Sequence, residues 1–346
     1  DKSLKVRGGT GLFAGRLPLV FFTNMPTNSG MIQQNPYNAV TTYNSDGTVK
    51  SSNPTLDKFK GGLVTDPNQI RDLLGAPATI TPEQGTVAKT IGGVDRDFKM
   101  PQVWKTSVAV DYQVPVSFPL TLTAEFIYTK KINDVMLDNY NIKNNTSEWE
   151  HLNGADNRLI YPKDFTYYSN INDACVLTNT HKGHGYTFNI TATAEPIKNL
   201  NVMAAYTHTV MKEISGMPGS NASSAWSGLY TVNGPNFPTL QNSAYVIPDR
   251  LIASVSYKYA KEHFSLFYTG YSPAGYSFFY NGDVNGDGIK NDLMYIPKDD
   301  SEIQFASDAD RQAFWQFVEQ DKYLKNHKGE YAEAYGARAP FVHRFD

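Results

Sequence analysis

The chain has 346 residues, 40% of them hydrophobic and 19% charged, with a formal net charge of −3. That length can bury a sizeable core, yet no run of about 18 apolar residues offers a membrane helix, and no cluster of Lys and Arg supplies the basic field that nucleic acid needs. A single cysteine, Cys175, excludes an internal disulfide framework and any multi-cysteine metal site, and is expected as a bystander in a loop.

In chain order, residues 4–12 read as a Gly-rich strand and residues 17–22 as an apolar stretch between Pro18 and Pro26. The glycines Gly8, Gly9 and Gly11 open no GxGxxG or phosphate loop, so they mark bends or a close backbone approach. A polar region at about 27–101 follows, with one short helix expected at 66–74 and the remainder read as an elaborated surface loop.

Three hairpins then show strict alternation, which places successive side chains on opposite faces. In the first, Trp104, Thr106, Val108, Val110 and Tyr112 oppose Lys105, Ser107, Ala109, Asp111 and Gln113, and the chain returns through Leu120, Leu122, Ala124, Phe126 and Tyr128. In the second, Tyr186, Phe188, Ile190, Ala192 and Ala194 alternate with Thr and Asn, and the return runs through Leu200, Val202, Ala204 and Tyr206. The third pairs Leu251 to Tyr259 with Phe264, Leu266 and Tyr268 across a turn at Lys261 and Glu262. Between hairpins lie polar connections of roughly 40 residues, far above the ordinary loop; the expected long loops are 27–101, 143–180, 215–248 and 275–340. Short turns at one end and long loops at the other are the signature of a transmembrane β-barrel. The 22 Tyr and 19 Phe, many near strand ends, suit a membrane interface.

In the last loop, Ser307 and Asp310 form a capping pattern ahead of Ala313, Phe314, Phe317 and Val318, which predicts one amphipathic loop helix packed on the loop crown. The sharpest motif precedes it: Asp283, Asn285, Asp287, Ile289 and Asp292 place oxygen donors at alternate positions, with Gly288 for the turn and the Ile289 carbonyl next. This is the donor set of a Ca²⁺ loop, although an EF-hand would carry Glu where this chain has Met294, so Asp292 would substitute. The competing reading is a set of ordinary Asn, Gly and Asp turns. His181 and His184 are a poor metal pair at strand spacing. No nucleophile, buried carboxyl or oxyanion hole accompanies Asp299, Asp300, Asp308 or Asp310, so no enzymatic activity is expected.

Five strings, VRGGTGLFAGRLPLVFFTN (residues 6–24), DFKMPQVWKTSVAVDYQ (97–113), IYTKKINDV (127–135), YNGDVNGDGIKNDLMYIP (280–297) and GARAPFVHRFD (336–346), together resemble the barrel of Oar-like TonB-dependent outer-membrane receptors of the Bacteroidetes type, related to SusC-like importers. The resemblance implies an all-β chain: an antiparallel transmembrane β-barrel segment, part of a barrel of about 22 strands, in the bacterial outer membrane. It further implies a plug inside the barrel and energy coupled through TonB, contacted by an N-terminal or plug region that the sequence does not show. At about 10 residues per strand this chain is expected to hold eight to ten strands of a larger receptor, and its opening residues lack a secretion pattern. A lipoprotein lid is a further partner of the family type.

The function expected is capture and import of a nutrient such as an oligosaccharide or peptide, with no covalent step. Trp226, Tyr230 and Tyr245 are the candidate substrate contacts. Two alternatives stay open: a surface β-rich binding protein or adhesin, whose strands would form a sandwich with one solvated face, and a Ca²⁺-dependent glycan hydrolase, which would need a pair of acidic side chains in a cleft.

Overall fold

The computed structural model describes residues 3–33, 42–51 and 62–346; the expected loop at 27–101 therefore lies partly outside the described residues. The chain is all-β, dominated by one largely antiparallel sheet. Its longer strands are β1 (Leu4–Ala14), β2 (Thr90–Val94), β3 (Gln102–Gln113), β4 (Leu120–Asn139), β5 (Asp173–Thr180), β6 (His184–Ile197), β7 (Leu200–Glu213), β8 (Asp249–Tyr259), β9 (Glu262–Tyr271) and β10 (Val342–Phe345), and the two-residue strand Gln241–Asn242 pairs with the end of β7. The main path is the meander β1-β3-β4-β6-β7-β8-β9-β10, with every pair antiparallel. Among the described residues, β1 and β10 are each paired on one side only, and not with each other.

All three predicted hairpins are present. The second and third turn within two residues because left-handed backbone at Asn199 (φ 71°) and Ala260 (φ 53°) reverses the chain, whereas the first runs over residues 114–119. The third turn is Ala260–Lys261, one residue earlier than the sequence suggested, since Glu262 already pairs with Tyr259.

Register carries the two faces across the whole sheet. One row runs Leu4, Tyr112, Leu122, Ala192, Ala204, Ala253, Tyr268, Phe345, and the next runs Val6, Val110, Ala124, Ile190, Tyr206, Leu251. This face is apolar yet open: Val6 is 64% exposed, Phe264 61% and Leu266 55%. The opposite face is polar and internally bonded. Arg7 lies 3.1 Å from Asp111 and 3.6 Å from Glu125, Thr123 donates to Asp111 (2.8 Å), and the Asn189 amide donates to Thr207 (2.8 Å).

The four long connections all leave from the end opposite the short turns and pack into a crown, where the core sits. Its main cluster joins Leu17 and Phe21, Val135 and Leu137 at the far end of β4, Trp149, Leu159 and Tyr161, Cys175 and Leu177 on β5, and Ala222, Ala225 and Trp226. Two expectations are corrected here. Cys175 is a fully buried strand residue and not a loop bystander. The 143–180 loop ends in β5, which pairs antiparallel with the overhang of β4 and parallel with β2. Past the bulge around Ile132, where Val103 pairs with Lys131 but Gln102 with Asn133, the apolar positions shift from even to odd, and Val135 and Leu137 of the overhang face a core.

The crown also holds more than the two helices expected. Besides α1 (Val20–Thr23) and α2 (Pro67–Leu74, at the predicted place, with Asp66 accepting from the Asn68 amide and Gly75 left-handed after it), it contains α3 (Ala222–Ser227), α4 (Asp308–Gln320) and α5 (Lys322–Asn326). The Ser307 cap is as predicted, its hydroxyl accepting from the Asp310 amide at 3.1 Å. Val318 of α4 is fully buried against Met294, Ile296, Leu324 and Ala332 in a second small core.

Candidate functional site

The Asp283–Asp292 stretch lies inside the crown. Alternate Asx side chains fold it by accepting amides just downstream: Asp283 takes Gly286 (2.6 Å) and Gly288 (2.9 Å), Asn285 takes Asp287 (2.9 Å), and Asp287 takes Ile289 (2.7 Å). Asp292 reaches back to the Val284 amide at 2.8 Å. Short polar side chains bonding their own backbone are the usual device of tight turns, and Gly286 and Gly288 supply the left-handed positions. The loop is tied to the crown by the Asn285 carbonyl, which accepts the Tyr161 amide at 2.8 Å.

Its electrostatics are crowded. Asn285, Asp287 and Asp292 are buried. Burial, with the charges of Asp292 and Asp283 behind it, pushes the Asp287 carboxyl up to about 7, and burial likewise raises Asp292. The facing cation is Arg158, fully buried, with Nη1 3.8 Å from Asp292 while its other nitrogens hold Asp156 and the Leu293 carbonyl. Gly234 permits the close approach on the other side, since a Cβ there would lie 2.7 Å from Asp287 Oδ2 and 2.2 Å from the Tyr161 hydroxyl.

For a bound cation, the loop offers hard oxygens of the right type on Asp283, Asn285, Asp287 and Asp292 and the carbonyl of Ile289. In the arrangement seen, most of those oxygens face amides of the loop itself. Among the described residues no three His, Cys, Asp or Glu side chains converge as a metal cage.

The three aromatic candidates fall in different environments. Trp226 is only 5% exposed, lies in the main crown core and donates to Asn236 at 2.8 Å. It is a packing residue, and its place in α3 explains why the sequence alone made it look like a loop aromatic. Tyr230 is half-buried, its ring 4.9 Å from Phe279 and 5.6 Å from Tyr335. Tyr245 is 72% exposed and of the three presents most of its ring to solvent. The sequence reading missed Tyr335, whose left-handed backbone (φ 55°) is invisible in composition or alternation.

Comparison with protein-family models found no match, and comparisons with curated proteins and with solved structures found none either.

Proposed function

We propose that this chain forms part of the β-barrel of a TonB-dependent transporter in a bacterial outer membrane, importing a nutrient such as an oligosaccharide or peptide. One observation carries the membrane part: an apolar, solvent-open face that continues through the main strands of an antiparallel meander. Soluble domains rarely expose contiguous apolar patches beyond a few hundred Å², and each buried Å² is worth about 25 cal/mol, so such a face needs an apolar partner along its length. Lipid has the right dimension. Leu120 to Tyr128 on β4 extends about 27 Å at the rise of a strand, a band of about 20 Å once tilted as barrel strands are.

The polar face carrying Arg7, Asp111 and Glu125 then lines a lumen or meets a plug, and the crown stands outside the membrane as the capture surface. Coupling through TonB and the choice of nutrient rest on the family resemblance. Partitioning tests the reading. The chain is expected in the outer-membrane fraction and monodisperse only in detergent; a monodisperse, detergent-free species in the soluble fraction would overturn it and favour a sandwich-type binding protein.

Calcium at the Asp283–Asp292 loop belongs to the same proposal, supported by the oxygen donors that Asp283, Asn285, Asp287 and Asp292 place at close spacing in one crown loop. Calorimetry is expected to register Ca²⁺ binding together with slower proteolysis of the loop. Absence of both effects removes the ion from the account and leaves a self-bonded turn.

A further inference from the structure

Between α5 and the segment leading to β10, the crown holds a cavity of about 260 Å³, away from the Asp283–Asp292 loop and lined by Tyr276, Lys322, Tyr323, His327 and Arg338 among others. We propose that this cavity binds a small organic carboxylate bearing an aromatic group, with the Nε–Nη2 edge of Arg338 as the carboxylate clamp.

The clamp is built rather than incidental. Nη1 of Arg338 donates to the Tyr335 carbonyl at 2.7 Å and lies 3.5 Å from that of Ala337, while Nε and Nη2 bond to none of the described residues. The guanidinium is thus pinned by one nitrogen, with its bidentate edge open, the geometry that matches a planar carboxylate. Two unusual backbone features hold it there. Tyr335 takes a left-handed conformation (φ 55°), which is strained for a non-glycine residue and persists where surrounding structure demands it. Gly275 lies directly beneath: a Cβ there would sit 2.0 Å from Arg338 Nη1 and 2.1 Å from the Tyr335 carbonyl oxygen, so the guanidinium reaches its seat only because that position lacks a side chain.

The charge around the cavity favours an anion. Lys322 and Arg338 face one lining carboxylate, Asp321, whose Oδ1 already accepts the Tyr323 and Leu324 amides at 2.8 and 2.9 Å as the cap of α5. Asp249, whose charge also interacts with Arg338, is occupied by the Tyr206 hydroxyl (2.6 Å) and His208 (2.8 Å).

The walls favour a ring. Tyr276 is 41% exposed beside the cavity. Tyr323 is fixed between His327, at 4.0 Å between ring centroids, and Phe278 at 6.0 Å, and the second core lies behind it. The volume falls just under the usual range of ligand sites, which limits the occupant to about the size of a single amino-acid residue.

The full chain, in detergent, should be titrated with N-acetylphenylalanine, its primary amide and inorganic phosphate. The acid is expected to bind, with the amide and phosphate each at least about tenfold weaker, because the bidentate pair and the ring contact are lost in turn. Arg338→Lys keeps the charge but not the fork and is expected to weaken the acid about tenfold; near-ultraviolet dichroism of the variant reports whether the crown is intact. Equal binding of acid and amide, or an unchanged affinity in a folded Arg338→Lys protein, overturns the clamp. Phosphate binding as tight as the acid overturns the aromatic part. Transport plays no part in the measurement, so its failure leaves the barrel proposal untouched.

Discussion

β4 contains both halves of this molecule on one strand. At Phe126 and Tyr128 its apolar side chains stand open, 41% and 40% exposed, whereas at Val135 and Leu137, a few residues further, they are sealed in the crown core. The apolar phase moves from even to odd positions at the bulge around Ile132, where Val103 pairs with Lys131 but Gln102 with Asn133, and what covers the apolar side chains changes as well. In the crown, four long connections fold back over the strand ends and supply their own apolar cover, including Leu17, Trp149 and Trp226. Lower on the sheet none of the described residues covers the face, and the opposite face is already bonded to itself through Arg7, Asp111 and Thr123. A strand pattern therefore says which side chains share a face, and only the connections decide whether the protein or another medium fills the space beyond it.

The contrast can be broken first in the crown. Trp226→Ala removes a buried ring packed near Ala222 and Ala225 and leaves the Asn236 carboxamide without its indole donor. A loss of about 3–5 kcal/mol is expected for truncating such a side chain, read as early loss of near-ultraviolet dichroism while the strand signal of the sheet persists. A Trp226→Ala protein with an unchanged melt would return that residue to the list of surface aromatics.

On the sheet the sharpest test uses adjacent residues. Ala253 lies on the apolar face, in register with Ala204 and Tyr268, and Ser254 lies on the polar face opposite Met203 and Phe267. If lipid covers the first face, Ala253→Arg costs about 2–4 kcal/mol in a bilayer, whereas Ser254→Arg stays near neutral. Equal penalties, measured by unfolding from liposomes, would mean that both faces meet the same solvent.

Much of this architecture is legible in the chain. Alternation set the three hairpins and their faces, and Ser307 with Asp310 announced a helix start because capping is a local matter. The extension of β4, the strand at Asp173–Thr180 and the burial of Cys175 were not legible, because a short apolar run reads alike as loop or strand until a partner is known. The site divides the same way. The Asx spacing of the Asp283–Asp292 loop is visible residue by residue, but its position against Arg158 and Tyr161 depends on contacts across 100 and more positions. The seat of Arg338 depends on Gly275 and on one left-handed tyrosine, neither of which any pattern marks.

A smaller effect should appear with pH. Asp173, at the start of β5, is buried; Oδ2 accepts the hydroxyls of Ser223 (3.0 Å) and Thr90 (3.3 Å), and Oδ1 has no hydrogen-bond partner among the described residues. Burial raises its carboxyl above the ordinary value, and the hydroxyls only partly offset this. The fold thus holds the proton more tightly than the unfolded chain does. That contribution to stability is fully present below the ordinary carboxylate range and is lost as pH rises through the elevated value. Tryptophan fluorescence melts of the crown are expected to weaken across that interval, and less steeply in Asp173→Asn; Asp138 and Asp287, raised by burial in the same direction, keep part of the slope. A slope identical in the variant would place the titration elsewhere.

The smallest effects mark where the crown ends and its outer surface begins. Tyr230 touches Phe279 and Tyr335, so Tyr230→Ala should cost the aromatic pairing, about 0.5–1.5 kcal/mol beyond the lost area. Tyr245 is mostly open to solvent, and Tyr245→Ala should stay within about 0.5 kcal/mol. The order Trp226, Tyr230, Tyr245 is then a depth gauge for the crown. An aromatic that can be removed without loss of stability is free to serve a ligand, whereas one that cannot is already serving the fold. If Tyr245→Ala proved as damaging as Trp226→Ala, its ring would have to be covered by something that folds with the crown, and the capture surface would lie elsewhere.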